Sequence, residues 1–126
     1  MRVIADHMRA ATMMLADGVK PGNAERGYVL RRLIRRAAQH AAKLGVEDKD
    51  KEDSMLVRCS IIVMEKYKQA YPELDGEETY QHITGEIWKE EVQFAHTLEK
   101  GMREFEKIAA TGHIKGDEAY TLFTTY

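Results

Sequence analysis

Between residues 77 and 110 the chain carries no proline, and Tyr80, Ile83, Ile87, Phe94, Leu98, Met102, Phe105 and Ile108 follow one another at intervals of three, four or seven. Such intervals gather side chains on one side of an α-helix but scatter them over both faces of a strand, so a long helix over 77–110, which also carries Val92, is predicted. Gly85 and Gly101 each weaken it by roughly 1 kcal/mol relative to alanine and mark the places where it could kink.

The same period recurs in three further segments. Residues 1–17 set Val3, Ile4, Met8, Ala11, Met14 and Leu15 at helical spacing, and Gly18 can close that helix in a left-handed cap. Pro21 and Gly22 break the chain, with Asn23 placed to cap a second helix over 24–45 that Gly45 stops. A third helix over 54–70 is expected to bury Met55, Leu56, Cys59, Ile62, Val63 and Met64, and Tyr71-Pro72 ends it. Asp117 is placed to cap a last short helix over 118–126. With no alternating strand pattern, internal repeat or low-complexity tract, the expected fold is all-α. It is a single domain over 1–126, a bundle of about four main helices plus a short C-terminal one.

Hydrophobic residues at 44% and charged residues at 32% fall in the range of soluble globular domains, which argues against disorder. No apolar run approaches the roughly 18 residues of a membrane span, and the first residues lack the apolar core and cleavage site of a secretory signal. Cys59 is the single cysteine and has no internal disulfide partner. In its apolar helical setting a buried, inert thiol is expected, and a cytoplasmic source fits. The seven methionines fall mostly on apolar faces and read as core.

The net charge of −2 conceals a strong local division. Residues 23–45 hold six cations, Arg26, Arg31, Arg32, Arg35, Arg36 and Lys43, against Glu25 alone, a local charge of +5. Residues 46–54 hold five carboxylates against Lys49 and Lys51, a local −3, and read as a solvated connection. On a helical projection with Arg31 as origin, Arg35, Tyr28, Gln39, Arg32, Lys43 and Arg36 lie within ~140° of one another, Arg31 and Arg35 forming the outermost edge. Leu30, Leu33, Ile34, Ala37, Ala38, Ala41 and Leu44 take the opposite side. Arginine's planar fork pairs bidentately with phosphate, so such a face suits a nucleic-acid backbone. The alternative is a solvated face paired with carboxylates of other helices, such as Glu90 or Asp53. Asn23 and Arg26, near the helix start, extend the candidate RNA-binding set.

Other chemistry is poorly provided for. The five histidines show no paired metal-ligand spacing, and His82 with Glu86 one turn later is a pairing that surface helices often produce. No nucleophile, base and orienting group stand at a spacing that suggests a free-standing enzyme.

The order Arg2-Val3-Ile4-Ala5-Asp6-His7, Ala16-Asp17-Gly18, Pro21, Asn23, Arg26-Gly27-Tyr28-Val29-Leu30-Arg31-Arg32 and Arg35-Arg36 resembles alanyl-tRNA synthetases just beyond their catalytic core. The resemblance continues more weakly through Glu90-Glu91-Val92-Gln93-Phe94, Thr97-Leu98-Glu99-Lys100-Gly101 and residues 122–126. It implies a helical piece of a larger ligase, lying between the class II catalytic domain and the editing domain and helping to grip the acceptor stem of alanine tRNA, whose G·U wobble pair is read in this region. ATP and magnesium are implied for the parent's catalytic domain and zinc for its editing domain, with no cofactor in this piece and no catalytic activity of its own. A helical linker between those domains, without RNA contact, is the rival expectation. Two positions depart from the pattern: Ala41-Ala42 stand where many bacterial members have Gly-Asn, and Thr124 replaces the aspartate of the closing motif. The first removes a side-chain amide able to reach a base edge.

Overall fold

The structure, a computed structural model, describes residues 1–125. Five helices account for most of it: α1 (Arg2–Ala16), α2 (Glu25–Lys43), α3 (Met55–Tyr67), α4 (Glu77–Ala109) and α5 (Gly116–Thr125), with one 3-10 turn at Pro72–Leu74. No strand occurs among the described residues, so the chain is all-α as its periodicity predicts. It divides into two compact units, Met1–Glu91 and residue 92 onward, and α4 runs from the first into the second.

In the first unit α1 packs against both α2 and α3. Ile4, Met8, Ala11 and Leu15 are at most 1% exposed, and Leu30, Ile34, Ala37 and Ala41 repeat the same 4-3-4 spacing on α2. Alanines at 11, 37 and 41 leave room for the two helices to approach, while each buried Ile, Leu or Met contributes about 1.5–3 kcal/mol. Leu56, Val57, Met64, Leu74, Ile83 and Ile87 complete this core. Thr12 is fully buried and satisfies its hydroxyl by donating to the Met8 carbonyl at 2.7 Å.

Helix ends follow local chemistry. Beyond α2, Gly45 takes φ +78 and donates to Ala42, while Val46 donates to Ala41. This Schellman closure satisfies two carbonyls that the helix leaves open. The same pair of bonds closes α1 around Gly18. Ser54 caps α3, its Oγ accepting from the Val57 N–H at 3.1 Å.

Several expectations are corrected. Asn23 does not cap α2: Ala24 holds the cap position in extended geometry, without a side-chain bond. Ile62 is 65% exposed and Leu44 53% exposed. The buried stripe of α3 runs through Leu56, Val57, Ser60 and Met64, which puts Ile62 on the far side of the helix, and Leu44 lies past the last turn of α2. Asp117 does not cap α5; Glu118 instead accepts from the Lys115 N–H at 2.9 Å, one half of a capping box. Nor is the acidic connection merely solvated, since Asp48 accepts from the Met55 N–H at 3.1 Å and Asp50 from the Asp53 N–H at 2.9 Å. Of the methionines, Met1 and Met102 are exposed and the other five lie in or against the core.

In the second unit, α4 exposes Leu98, Met102 and Phe105, and α5 exposes Tyr120 and Phe123. Its surface pairs, Glu99 with Arg103 and Glu104 with Lys107, are neighbours along the helix. The expectation that the last helix reaches Tyr126 falls, at that residue, outside the described residues.

Candidate nucleic-acid interface

Five of the six cations of residues 23–45 fall into two classes, and Arg26 stands apart at the helix entry. Arg31 and Arg35, one turn apart on α2, both donate through Nε to the same Oε1 of Glu90, at 2.9 and 2.7 Å. Glu90 comes from α4 with its side chain 4% exposed, and the two arginine side chains keep 19% and 23% of their surface. Arg31 also donates through Nη1 to the Asn23 Oδ1, which ties the α1–α2 loop to the same cluster. A carboxylate buried to this degree would be costly alone, and two charge-assisted hydrogen bonds offset the loss of water.

Arg32, Arg36 and Lys43 are exposed, and their side chains make no hydrogen bond or ion pair with another described residue. At 100° per residue they fall within about 40° of one another, directly away from the buried stripe. Gln39 and Tyr28 flank them, the tyrosine 48% exposed. Opposite Arg36 and Lys43, at the other margin of the basic face, is the edge formed by Arg31 and Arg35. They sit at the margin of the packed face, close enough to α4 for Glu90 to reach them, and Arg32, Arg36 and Lys43 form the outer ridge. Of the two carboxylates weighed as partners, Glu90 takes the role and Asp53 does not.

The entry to α2 is tightly built. The Gly22 N–H donates to the Gly27 carbonyl at 3.0 Å, folding the loop over the first turn. A Cβ on Gly27 would stand 2.6 Å from the Lys20 carbonyl oxygen, so only glycine fits there. Glu25 follows the extended Ala24 with φ +50, a conformation that L residues adopt at a cost of about 1 kcal/mol or more. Exposed Arg26 borders the open cleft formed by residues 17–20 and 22–27. At the other end of α2, His40 is half-buried; desolvation, then the charges of Lys43 and Arg36, hold its pKa below the usual histidine value.

Next to Glu90, Glu91 serves a different helix. Ser54 Oγ donates to its Oε2 at 2.6 Å while capping α3. Burial raises the Glu91 pKa to about 7, the Ser54 bond opposes that rise and nearby Asp48 adds to it. Consecutive glutamates, about 100° apart on α4, thus hold α2 and the start of α3.

The sequence matches the family described as tRNA synthetases class II (A) over residues 1–126. The chain belongs to that family, the alanyl-tRNA synthetases. It is 42% identical over 130 residues to an alanine–tRNA ligase of Psychrobacter sp. (strain PRwf-1), covering 100% of this chain and 14% of that protein. It is 43% identical over 129 residues to that of Stenotrophomonas maltophilia (strain K279a), with coverage of 100% and 14%. Against the Thermotoga petrophila enzyme the identity is 42% over 127 residues, covering 99% and 14%. The chain thus spans about one seventh of the length of these relatives. In this alanyl-tRNA synthetase segment no three His, Cys, Asp or Glu side chains among the described residues are gathered as they would be to hold a metal ion. No helix of the described residues is long and apolar enough to cross a membrane.

The RGYVLRR string thus marks a single structural device. Gly27 admits the loop, Leu30 enters the core, Arg31 goes to Glu90, and Tyr28 and Arg32 remain outside. The contact between Ser54 and Glu91 is not legible in the sequence. A capping serine before an apolar run was the available signal, but its partner lies 37 residues away.

Proposed function

We propose that this chain is a tRNA-contacting segment of a cytoplasmic alanine–tRNA ligase. It grips the acceptor stem of alanine tRNA along α2 while a separate catalytic domain attaches alanine using ATP. The observation that carries this reading is the outer ridge of Arg32, Arg36 and Lys43, three cations on a rigid helix with no partner among the described residues. Arg32 and Arg36 are about 6 Å apart along the helix axis, and Lys43 stands roughly 10 Å further on. Contacts of this kind fix position on a backbone more than they read its bases. The catalytic contribution of the segment would then be orientation of the acceptor end.

A purely structural helical linker would account for Arg31, Arg35 and Glu90 but gives Arg32, Arg36 and Lys43 no role. The two readings separate in a titration of the chain with an alanine-tRNA acceptor minihelix. R32Q/R36Q should weaken binding at least about tenfold at low salt and reduce the slope of log affinity against log salt by one to two, since each lost phosphate contact removes about 0.7–0.9. A folded double variant that binds as the wild type does would leave the linker reading in place.

A further inference from the structure

Glu90 is only 3% exposed, yet it holds two of the six cations in the basic segment. We infer that Glu90 is a positioning residue that withholds Arg31 and Arg35 from general phosphate binding, so that the outer ridge alone sets how tightly RNA of any sequence is held. The inference rests on the RNA-contact reading of α2.

Both guanidinium groups reach the same oxygen, Oε1, through Nε, the nitrogen nearest the helix. A phosphate recruiting either group away would leave a 4%-exposed carboxylate short of a partner, an exchange that trades one anion for another and strands the buried one. The competition is therefore settled within the chain before RNA arrives. The bond from Arg31 to Asn23 adds a second commitment, extending to the α1–α2 loop. The cluster also carries one net positive charge where two arginines alone would carry two, which lowers the field along that flank. Lower non-specific affinity follows, because sequence-independent RNA binding scales with the number of phosphates neutralised. Contacts elsewhere that read sequence are then not overwhelmed by backbone attraction.

The test uses the full chain with two RNAs, the alanine-tRNA acceptor minihelix and an unrelated duplex of equal length. Glu90→Gln preserves shape and the acceptor oxygen but removes the charge that holds the arginines. It should tighten binding to both RNAs by a similar factor, about tenfold at low salt, and steepen the log–log salt slope by one to two, as expected for up to two added phosphate contacts. A folded E90Q chain with an unchanged or shallower slope would overturn the inference. Should E90Q not fold, R31M/R35M/E90M replaces the buried ion cluster by apolar side chains, an exchange that is often neutral or stabilising. The wild-type slope is expected for it, because the withheld arginines contribute none of that slope. A slope shallower by one or more would show that Arg31 and Arg35 do meet phosphate, and the inference fails. R32Q/R36Q in the same series keeps the two ideas apart: weakened binding there with no effect of Glu90 sinks only the inference, while no effect there sinks the RNA reading beneath it.

Discussion

Glu91 has its carboxyl group buried beside the Ser54 hydroxyl, with no ion pair to a described cation. Its folded pKa, about 7, lies above the ordinary 4.5, so the folded chain holds this proton more tightly than the unfolded chain does. The stability gained is complete below the unfolded value and is lost as pH rises through the folded one. At about 1.4 kcal/mol per unit, that loss between pH 4.5 and 7.5 is on the order of 2–3 kcal/mol. Glu91→Gln should remove this dependence and raise stability at pH 8, as read from urea midpoints at pH 5 and pH 8; an equal pH dependence in both proteins would contradict it. Cys59 gives a second residue-scale test. Burial raises its thiol pKa more than neighbouring Arg58 lowers it, so a thiol reagent should label it slowly in buffer and rapidly in urea. Labelling equally fast under both conditions would refute an inert thiol.

Among the elements, α2 was the most legible in the sequence. Its apolar positions keep the 4-3-4 spacing that α1 repeats, and Ile34→Ala should cost about 2–5 kcal/mol in thermal or urea unfolding. Gly45 and Gly18 marked the helix ends because a left-handed residue there is a local requirement. Gly27→Ala should also destabilise the chain, by about 1–3 kcal/mol, since the added methyl group meets backbone rather than a movable side chain. An unchanged melting temperature would show that the α1–α2 loop can give way. Less was legible wherever distant segments meet. Glu90 lies 59 residues from Arg31 and 55 from Arg35, and periodicity within one helix cannot state which charges another helix brings to its margin. A helical projection ranks directions but leaves open where the packed face ends, so it sets Arg31 and Arg35 at one edge of the basic face without showing that this edge meets Glu90. Ile62 misled for a related reason: α3 is apolar nearly all round, and only its neighbours decide which stripe is buried.

At the scale of the whole molecule, the chain represents 14% of the length of its relatives, and α4 carries the polypeptide from the first compact unit into the second. The first unit holds the core, the Glu90 cluster and the outer ridge of α2, so RNA binding should reside there. The most direct measurement of that claim follows the arginine Nε–H resonances of the isotopically labelled chain by nuclear magnetic resonance as the alanine-tRNA acceptor minihelix is added. Arg32 and Arg36 should shift strongly and saturate together with the backbone amides of α2, while Arg31 and Arg35, held on Glu90, shift little. Saturable binding that leaves Arg32 and Arg36 unmoved, or the absence of binding at low salt by a folded chain, would contradict RNA contact through α2.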